Sequence, residues 1–262
     1  MTTLRFVAKT WRATRVTLHF AEGLAMTVGV FPFIDVPRKR TLIRRWSTRL
    51  LALLDIRMRV SGAIEVDGGN VLIVCNHVSW LDIFVLNAQQ PARFVAKAEL
   101  ARWPLVGRLI RGAGTIFIER ERRRDTRRVN HHAAEALLRG DVVAVFPEGT
   151  TTDGTSLLRF HASLLQPIVE SHGHVQPVAL RYRDARGAHS TAPAYGDETF
   201  ASCFWRVCGE RGMAVDVIAS SPIAAGEKHR RELAREAEDA IRKALAESVA
   251  SRAPEKAASA AA

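Results

Sequence analysis

The sequence predicts an α/β protein, a layered sheet flanked by helices, preceded by a basic helical pair. Three observations predict it. From Val60 onward, short β-branched runs alternate with stretches of helical periodicity, the pattern of strand–helix–strand units. Two of those runs, 71–75 and 142–146, end abruptly in polar, turn-forming motifs, as strands do where active residues gather at their C-terminal ends. The first 59 residues differ from the rest: they are dense in Arg and Lys and hold only three acids, Glu22, Asp35 and Asp55. The expected division is a basic helical segment over 1–59, an α/β domain over 60–250, and a frayed, alanine-containing tail over 251–262.

The N-terminal segment comes first. Between 16 and 34 the chain is moderately apolar but is interrupted by His19, Glu22, Gly23 and Pro32. It falls short of the ~18–20 clean apolar residues expected of a spanning helix. A signal peptide would need a longer apolar core and a small-residue cleavage site, and none is expected. Next, Leu42, Ile43, Trp46, Leu50, Leu53 and Leu54 recur at three- and four-residue steps, with Arg44, Arg45 and Arg49 between them. A basic amphipathic helix with a Trp suits a bilayer interface, its apolar side among acyl chains and its arginines near lipid phosphates. The same stripe also suits a surface helix docked on the core. Pro32 and Pro37 place a turn between the two helices. The expectation is a membrane-associating helical pair that lies on, or partly in, the bilayer at the cytoplasmic face of the inner membrane.

Strands are then predicted over 71–75, 93–96, 115–118, 142–146, 175–180 and 213–218. Helices are predicted over 80–86, 98–110, 125–138, 162–171 and 227–249. Gly114, Gly140, Gly149 and Gly173 punctuate them as turns and caps. The most informative stretch is the first of these strands with the turn beyond it, Val71 to Asp82. An apolar run ends in Asn76-His77, and Ser79 then offers a helix cap with Asp82 three residues on, the spacing of a capping box. His77 therefore sits on the tight link from strand to helix, and Asp82 can lean back toward it. An imidazole held by a carboxylate at a strand end is a candidate general base. The same residues also read as an ordinary helix cap beside a hydrogen-bonded loop histidine. The second motif is Phe146-Pro147-Glu148-Gly149-Thr150, again directly after a strand-like run.

Composition narrows the partners. The chain has 262 residues, 47% hydrophobic, enough for one sizeable core. The formal net charge is +11, which predicts an anionic partner: nucleic acid, a membrane surface or a phosphorylated substrate. Aromatics are only 7%, and no zinc-finger spacing or aromatic–basic recognition ribbon is present, so nucleic acid is not expected. Cys75, Cys203 and Cys208 form no metal-ligand pattern and fit a reduced compartment, with Cys75 a small buried hydrophobe. His131 and His132 lie in a polar helix, and His172 and His174 flank Gly173 in a turn. No metal site is expected from them.

Asn76-His77-Val78-Ser79-Trp80-Leu81-Asp82, Gly114-Thr115-Ile116-Phe117-Ile118-Glu119-Arg120, Phe146 to Thr150, and Val175-Gln176-Pro177-Val178-Ala179-Leu180 form an ordered set. That set resembles the glycerolipid acyltransferases, membrane enzymes of the lysophosphatidic acid acyltransferase type. The blocks span about half the chain. The resemblance implies transfer of a fatty acyl group from a thioester, on coenzyme A or acyl carrier protein as co-substrate and with no cofactor, to a lysophospholipid hydroxyl. His77 would take the hydroxyl proton, since an unperturbed imidazole titrates near pH ~6.5, and Asp82 would orient it. Direct transfer needs no serine nucleophile, so Ser79 is read as a cap. Arg120 resembles the family's phosphate-binding arginine, and Lys97 is similar to another basic position in the family. Gly149 and Thr150 would present N–H groups and a hydroxyl to an anion. Glu148 would bond an acceptor hydroxyl, or orient Arg120 or neighbouring backbone. There is one departure from the pattern. Members that form phosphatidic acid commonly carry Arg straight after the Gly-Thr, and here Thr151 takes that place. The segment Leu157 to Leu165 also resembles members assigned to ornithine-lipid synthesis, and Arg159 could restore some of the missing charge. Phosphatidic acid formation is placed first, on Arg120, with lyso-ornithine lipid as the alternative acceptor.

Overall fold

The computed structural model describes residues 2–66, 68–103, 106–118, 123–196 and 198–250. Helix α1 runs unbroken from Thr2 to Gly29, straight through His19, Glu22 and Gly23, which the sequence suggests as an interruption; Pro32 falls in the 3-10 turn Phe31–Phe33 that follows it. The first three are its contact with α2 (Val36–Leu53). His19 is buried; its ring stacks on Trp46 at 4.7 Å and its Nε2 lies 3.0 Å from the Trp46 carbonyl. Trp46 Nε1 donates back to the His19 carbonyl at 3.1 Å. Gly23 permits the approach, because a Cβ there would stand 2.7 Å from the Trp46 ring. The stretch Thr3–Phe33 is long and apolar enough to cross a membrane by length and composition, and little of it is covered by the rest of the protein.

Helix α2 starts where Asp35 accepts the Arg38 N–H at 2.9 Å, with Pro37 in its first turn. Its apolar stripe faces inward: Leu50, Leu51 and Leu54 are buried. Of the two readings of that stripe, the docked one describes the structure. The exposed apolar stripe is on α1 instead. Leu4, Val7, Trp11, Leu18 and Val28 are 79%, 59%, 64%, 64% and 61% exposed, at steps of three, four, seven and ten residues along one side of the helix.

The sheet has eight strands: β1 (Ile56–Ser61), β2 (Val71–Cys75), β3 (Arg93–Lys97), β4 (Ile116–Ile118), β5 (Val142–Val145), β6 (His174–Arg183), β7 (Met213–Ala219) and β8 (Ile223–Ala224). Their order is β1-β7-β6-β2-β5-β3-β4, with β8 also on β6. All pairs are parallel except β6 with β7 and β8. Helices α3 (Asp82–Gln89), α4 (Val106–Gly112), α5 (Arg123–Leu138), α6 (Gln166–Ser171), α7 (Phe200–Gly209) and α8 (Arg230–Ala250) cover its faces. Strand β2 shows why both faces are apolar. Ile73 and Cys75 enter one core with Leu50, Leu81 and Val207; Leu72 and Val74 enter a second with Leu137, Ile168 and Ile241. Strand β1, helix α7 and the short β8 are absent from the sequence prediction. The helix predicted over 98–110 appears as a 3-10 turn, Ala98–Arg102, and α4. That over 162–171 appears as a 3-10 turn, Ala162–Leu165, leading into α6.

Candidate active site

Strands β2 and β5 are parallel neighbours, with Val74 opposite Val145, so the motifs at their ends leave the sheet side by side. Asn76 is the first residue beyond β2. Its side-chain amide donates to the Leu180 carbonyl at 3.0 Å and its Oδ1 accepts the Leu180 N–H at 2.7 Å. The side chain thus carries the β2–β6 ladder past Cys75 and fixes where the chain turns away. The next residue, His77, is clamped by its backbone on the β5 side. Its N–H donates to Glu148 Oε1 at 2.7 Å, and its carbonyl accepts the Thr152 N–H at 2.9 Å.

The imidazole is held as tightly. Nδ1 lies 2.8 Å from Asp82 Oδ2, and because a carboxylate only accepts, Nδ1 carries the proton and Nε2 the lone pair. The ring stacks on Phe146 at 4.1 Å. Asp82 is fully buried while the His77 side chain is 20% exposed. The same Oδ2 accepts the N–H groups of Val78 and Ser79 at 2.7 and 2.9 Å, and Oδ1 accepts the Tyr182 hydroxyl at 2.7 Å. A buried carboxylate costs several kcal/mol unless it is hydrogen-bonded, and these donors supply that compensation. The bond from Ser79 N–H is the carboxylate half of the predicted capping box. The helix starts later than the sequence predicts: α3 begins at Asp82 with Leu81 as its N-cap and no side-chain cap bond, and Ser79 Oγ instead accepts the Leu81 N–H at 3.3 Å in the turn before it. Asp82 therefore both opens α3 and orients His77.

The other predicted residues divide. Glu148 is buried beside His77 and bonds backbone with both oxygens, the second accepting the Leu158 N–H at 2.8 Å. Burial pushes its carboxyl above the ordinary 4.5, against those two N–H bonds, which pull it down. Gly149 has φ 74° and its N–H closes a turn onto the Phe146 carbonyl, a conformation that disfavours any side chain. Thr150 is exposed at the outer edge of this turn. Thr151 points inward and bonds the Tyr195 carbonyl. Lys97 closes β3; its side chain and the whole of Arg120 lie outside the described residues. The three cysteines are buried and free. Burial first, then the Asp82 and Glu148 charges, push the Cys75 thiol up, and Cys208 is pushed up to about 11, so neither is a thiolate nucleophile. Burial raises Cys203 as well.

His77 opens on an apolar cavity of about 290 Å³. Its walls include Phe20 and Met26 of α1, Trp46 of α2, Phe84 of α3 and Ile110 of α4. Phe146 as the platform under His77 and Tyr182 as a donor to Asp82 are positions of the candidate site that the sequence alone does not assign. The one signal for Tyr182 is a phenol set between Arg181 and Arg183, just past the apolar run 175–180.

A mostly parallel sheet with a His–Asp pair at a strand end, opening on an apolar cavity, is a site fitted to an acid–base step on an apolar molecule. The known proteins the chain resembles agree. The family described as Acyltransferase matches residues 57–181. The lyso-ornithine lipid O-acyltransferase of Pseudomonas aeruginosa is 42% identical over 241 residues, 89% of this chain and 92% of that protein. The 1-acyl-sn-glycerol-3-phosphate acyltransferase of Neisseria gonorrhoeae is 40% identical over 167 residues, 64% of this chain and 66% of that protein. The fold matches the crystal structure of the 1-acyl-sn-glycerophosphate (LPA) acyltransferase PlsC from Thermotoga maritima with a TM-score of 0.67, at 21% identity, over 94% of this chain and 100% of that one. The chain belongs to the acyltransferase family, and its activity is of the lysophospholipid acyltransferase type.

Proposed function

We propose that the protein transfers a fatty acyl group from an acyl thioester to the hydroxyl of a lyso-ornithine lipid, with His77 as general base. The observation that carries the chemistry is the 2.8 Å bond between His77 Nδ1 and buried Asp82 at the edge of an apolar cavity. As the acceptor oxygen attacks the thioester carbonyl, Nε2 takes its proton and Asp82 stabilises the imidazolium. When the tetrahedral intermediate collapses, the carbon–sulfur bond breaks and the thiolate leaves with that proton. Glu148 and Phe146 position the histidine; the cavity receives an acyl chain. The thioester, of coenzyme A or acyl carrier protein, is a co-substrate, and no cofactor is required.

Two observations favour the ornithine headgroup over the glycerol phosphate that the sequence alone places first. The lyso-ornithine enzyme is similar along 92% of its own length. Thr151, where an arginine would face a phosphate, spends its hydroxyl on a carbonyl and supplies no charge. Arg120 in the Gly114–Arg120 block is the specific support for 1-acylglycerol-3-phosphate as a second acceptor. The exposed apolar stripe of α1 supports work at a membrane surface, on the face that meets acyl thioesters.

The test is incubation of purified protein with labelled acyl-CoA and a panel of lysolipids, with products identified by mass. Acylated ornithine lipid is expected as the preferred product. His77→Ala is expected to lower kcat by roughly 10²–10⁴-fold with unchanged circular dichroism. A fully active His77→Ala protein would remove the base assignment, and exclusive acylation of 1-acylglycerol-3-phosphate would remove the acceptor assignment.

A further inference from the structure

A second cavity, of about 770 Å³, lies between the first three turns of α1 and helix α7, away from His77. Five cations line it, Arg5, Lys9, Arg12, Arg206 and Arg211, against the single carboxylate of Glu210. Two of the five are committed. Arg12 bonds the Cys208 and Glu210 carbonyls and so answers the negative end of α7. Arg206 bonds Glu198 and the Ala192 and Ala194 carbonyls. Arg5 and Arg211 have no ion pair among the described residues, and Lys9 lies over the Trp205 ring at 4.5 Å. Gly209 leaves room for it, since a Cβ there would stand 3.2 Å from the Lys9 ammonium. Among the described residues, three cations thus face one cleft with no acid paired to them.

The surroundings of the cleft identify what neutralises them. Phe6, 62% exposed, packs edge-on against Trp205, which is itself partly exposed. Leu4, Val7 and Trp11 of the exposed α1 stripe continue from the same turns. Positive charge set among exposed aromatic and aliphatic side chains matches the headgroup level of a bilayer, where phosphate lies beside acyl chain. A soluble anion would use the charges and leave the apolar rim in water. We infer that this cleft binds the phosphate of an anionic phospholipid of the membrane itself, separate from the substrate at His77. The inference rests on the membrane association proposed above and adds a headgroup preference to it.

Vesicle co-sedimentation tests it, with phosphatidylcholine alone and with part of it replaced by phosphatidylglycerol. Wild-type protein is expected to prefer the anionic vesicles. A protein carrying Arg5→Ala, Lys9→Ala and Arg211→Ala is expected to lose that preference, by roughly tenfold or more in partition coefficient, while still binding neutral vesicles through the stripe. A control carrying Arg59→Ala, Arg231→Ala and Arg235→Ala removes the same charge from exposed positions elsewhere and is expected to keep it. Equal loss in both triple variants would reduce the effect to net charge and overturn the cleft. Wild-type protein that binds neither vesicle would overturn the membrane reading itself. Calorimetric titration with inorganic phosphate separates the sources. Binding that disappears in the cleft variant, with vesicle preference intact, marks a free-anion site and overturns the lipid assignment. Loss of binding to an acidic carrier protein, with vesicle preference intact, overturns it equally.

Discussion

Tyr182 shows how far the His77–Asp82 pair, the catalytic pair of the proposed function, depends on a residue buried behind it. Its hydroxyl is 2.7 Å from Asp82 Oδ1, and the side chain is wholly buried. Burial and the neighbouring Asp82 charge push the phenol well above its ordinary value, so it remains a donor through any assay range. The three donors to Oδ2 hold one oxygen, and Tyr182 holds the other, fixing the carboxylate plane that aims the imidazole. Tyr182→Phe removes one hydrogen bond to a charged group and almost no volume. The expected result is a loss of about 1.5–3 kcal/mol in unfolding free energy. A merely structural role would end there. A positioning role also lowers kcat with the KM for lysolipid unchanged, because the substrate contacts remain. Steady-state kinetics on the purified variant, compared at a temperature where it is fully native, separate the two.

At the scale of elements, the site is a seam between two strand ends, and Glu148 is its clasp. One oxygen holds the His77 N–H after β2, the other the Leu158 N–H beyond β5. Its carboxyl is raised above 4.5 chiefly by burial. A carboxyl with a raised folded pKa binds more protons in the folded state, so its contribution to stability is greatest in acid and falls as pH climbs from about 4.5 through the folded value. Glu148→Gln has no such titration. The stability advantage of wild type over Glu148→Gln is therefore expected to shrink as pH rises through that window, measured by urea unfolding at a series of pH values. A difference that stays flat or grows would contradict the burial account. Strand ends and motifs of this kind are legible in the sequence because they are local: the end of β2, the Ser79–Asp82 cap and the His77–Asp82 spacing all fall within a dozen residues. Partners far along the chain are not. Nothing local ties Tyr182 to Asp82, or Asn76 to Leu180. Helix α1 defeats a local reading for the same reason. His19 and Gly23 look like breaks until Trp46, on another helix, is packed against them. Strand β1 is hidden because it alternates Arg with apolar residues and is exposed along much of its length, so its sequence resembles the basic helical segment before it.

Taken whole, the proposed function places the chemistry where the N-terminal helices meet the sheet. The link after β2 and the first residue of α3 supply His77 and Asp82, while the N-terminal helices supply much of the apolar wall that His77 faces. In the proposed function the helical pair is thus a wall of the active site as well as a membrane attachment. The cavity of about 290 Å³ is just below the roughly 300–1,000 Å³ typical of ligand sites, so in the proposed function its volume limits the chain it accepts. Ala96 on β3 lines it. Ala96→Leu adds three carbons inside a space that is already open, which strains the core less than the same change in a packed site. Each buried methylene of a chain is worth about 0.8 kcal/mol; displacing two or three of them is expected to lower kcat/KM for long chains relative to short ones by on the order of tenfold or more. The measurement varies the acyl length of the thioester with the lysolipid fixed, then the reverse. Whichever partner's length preference shifts is the one whose chain occupies the cavity. If neither shifts while the variant folds normally, the cavity beside His77 holds no acyl chain, and the N-terminal helices serve attachment alone.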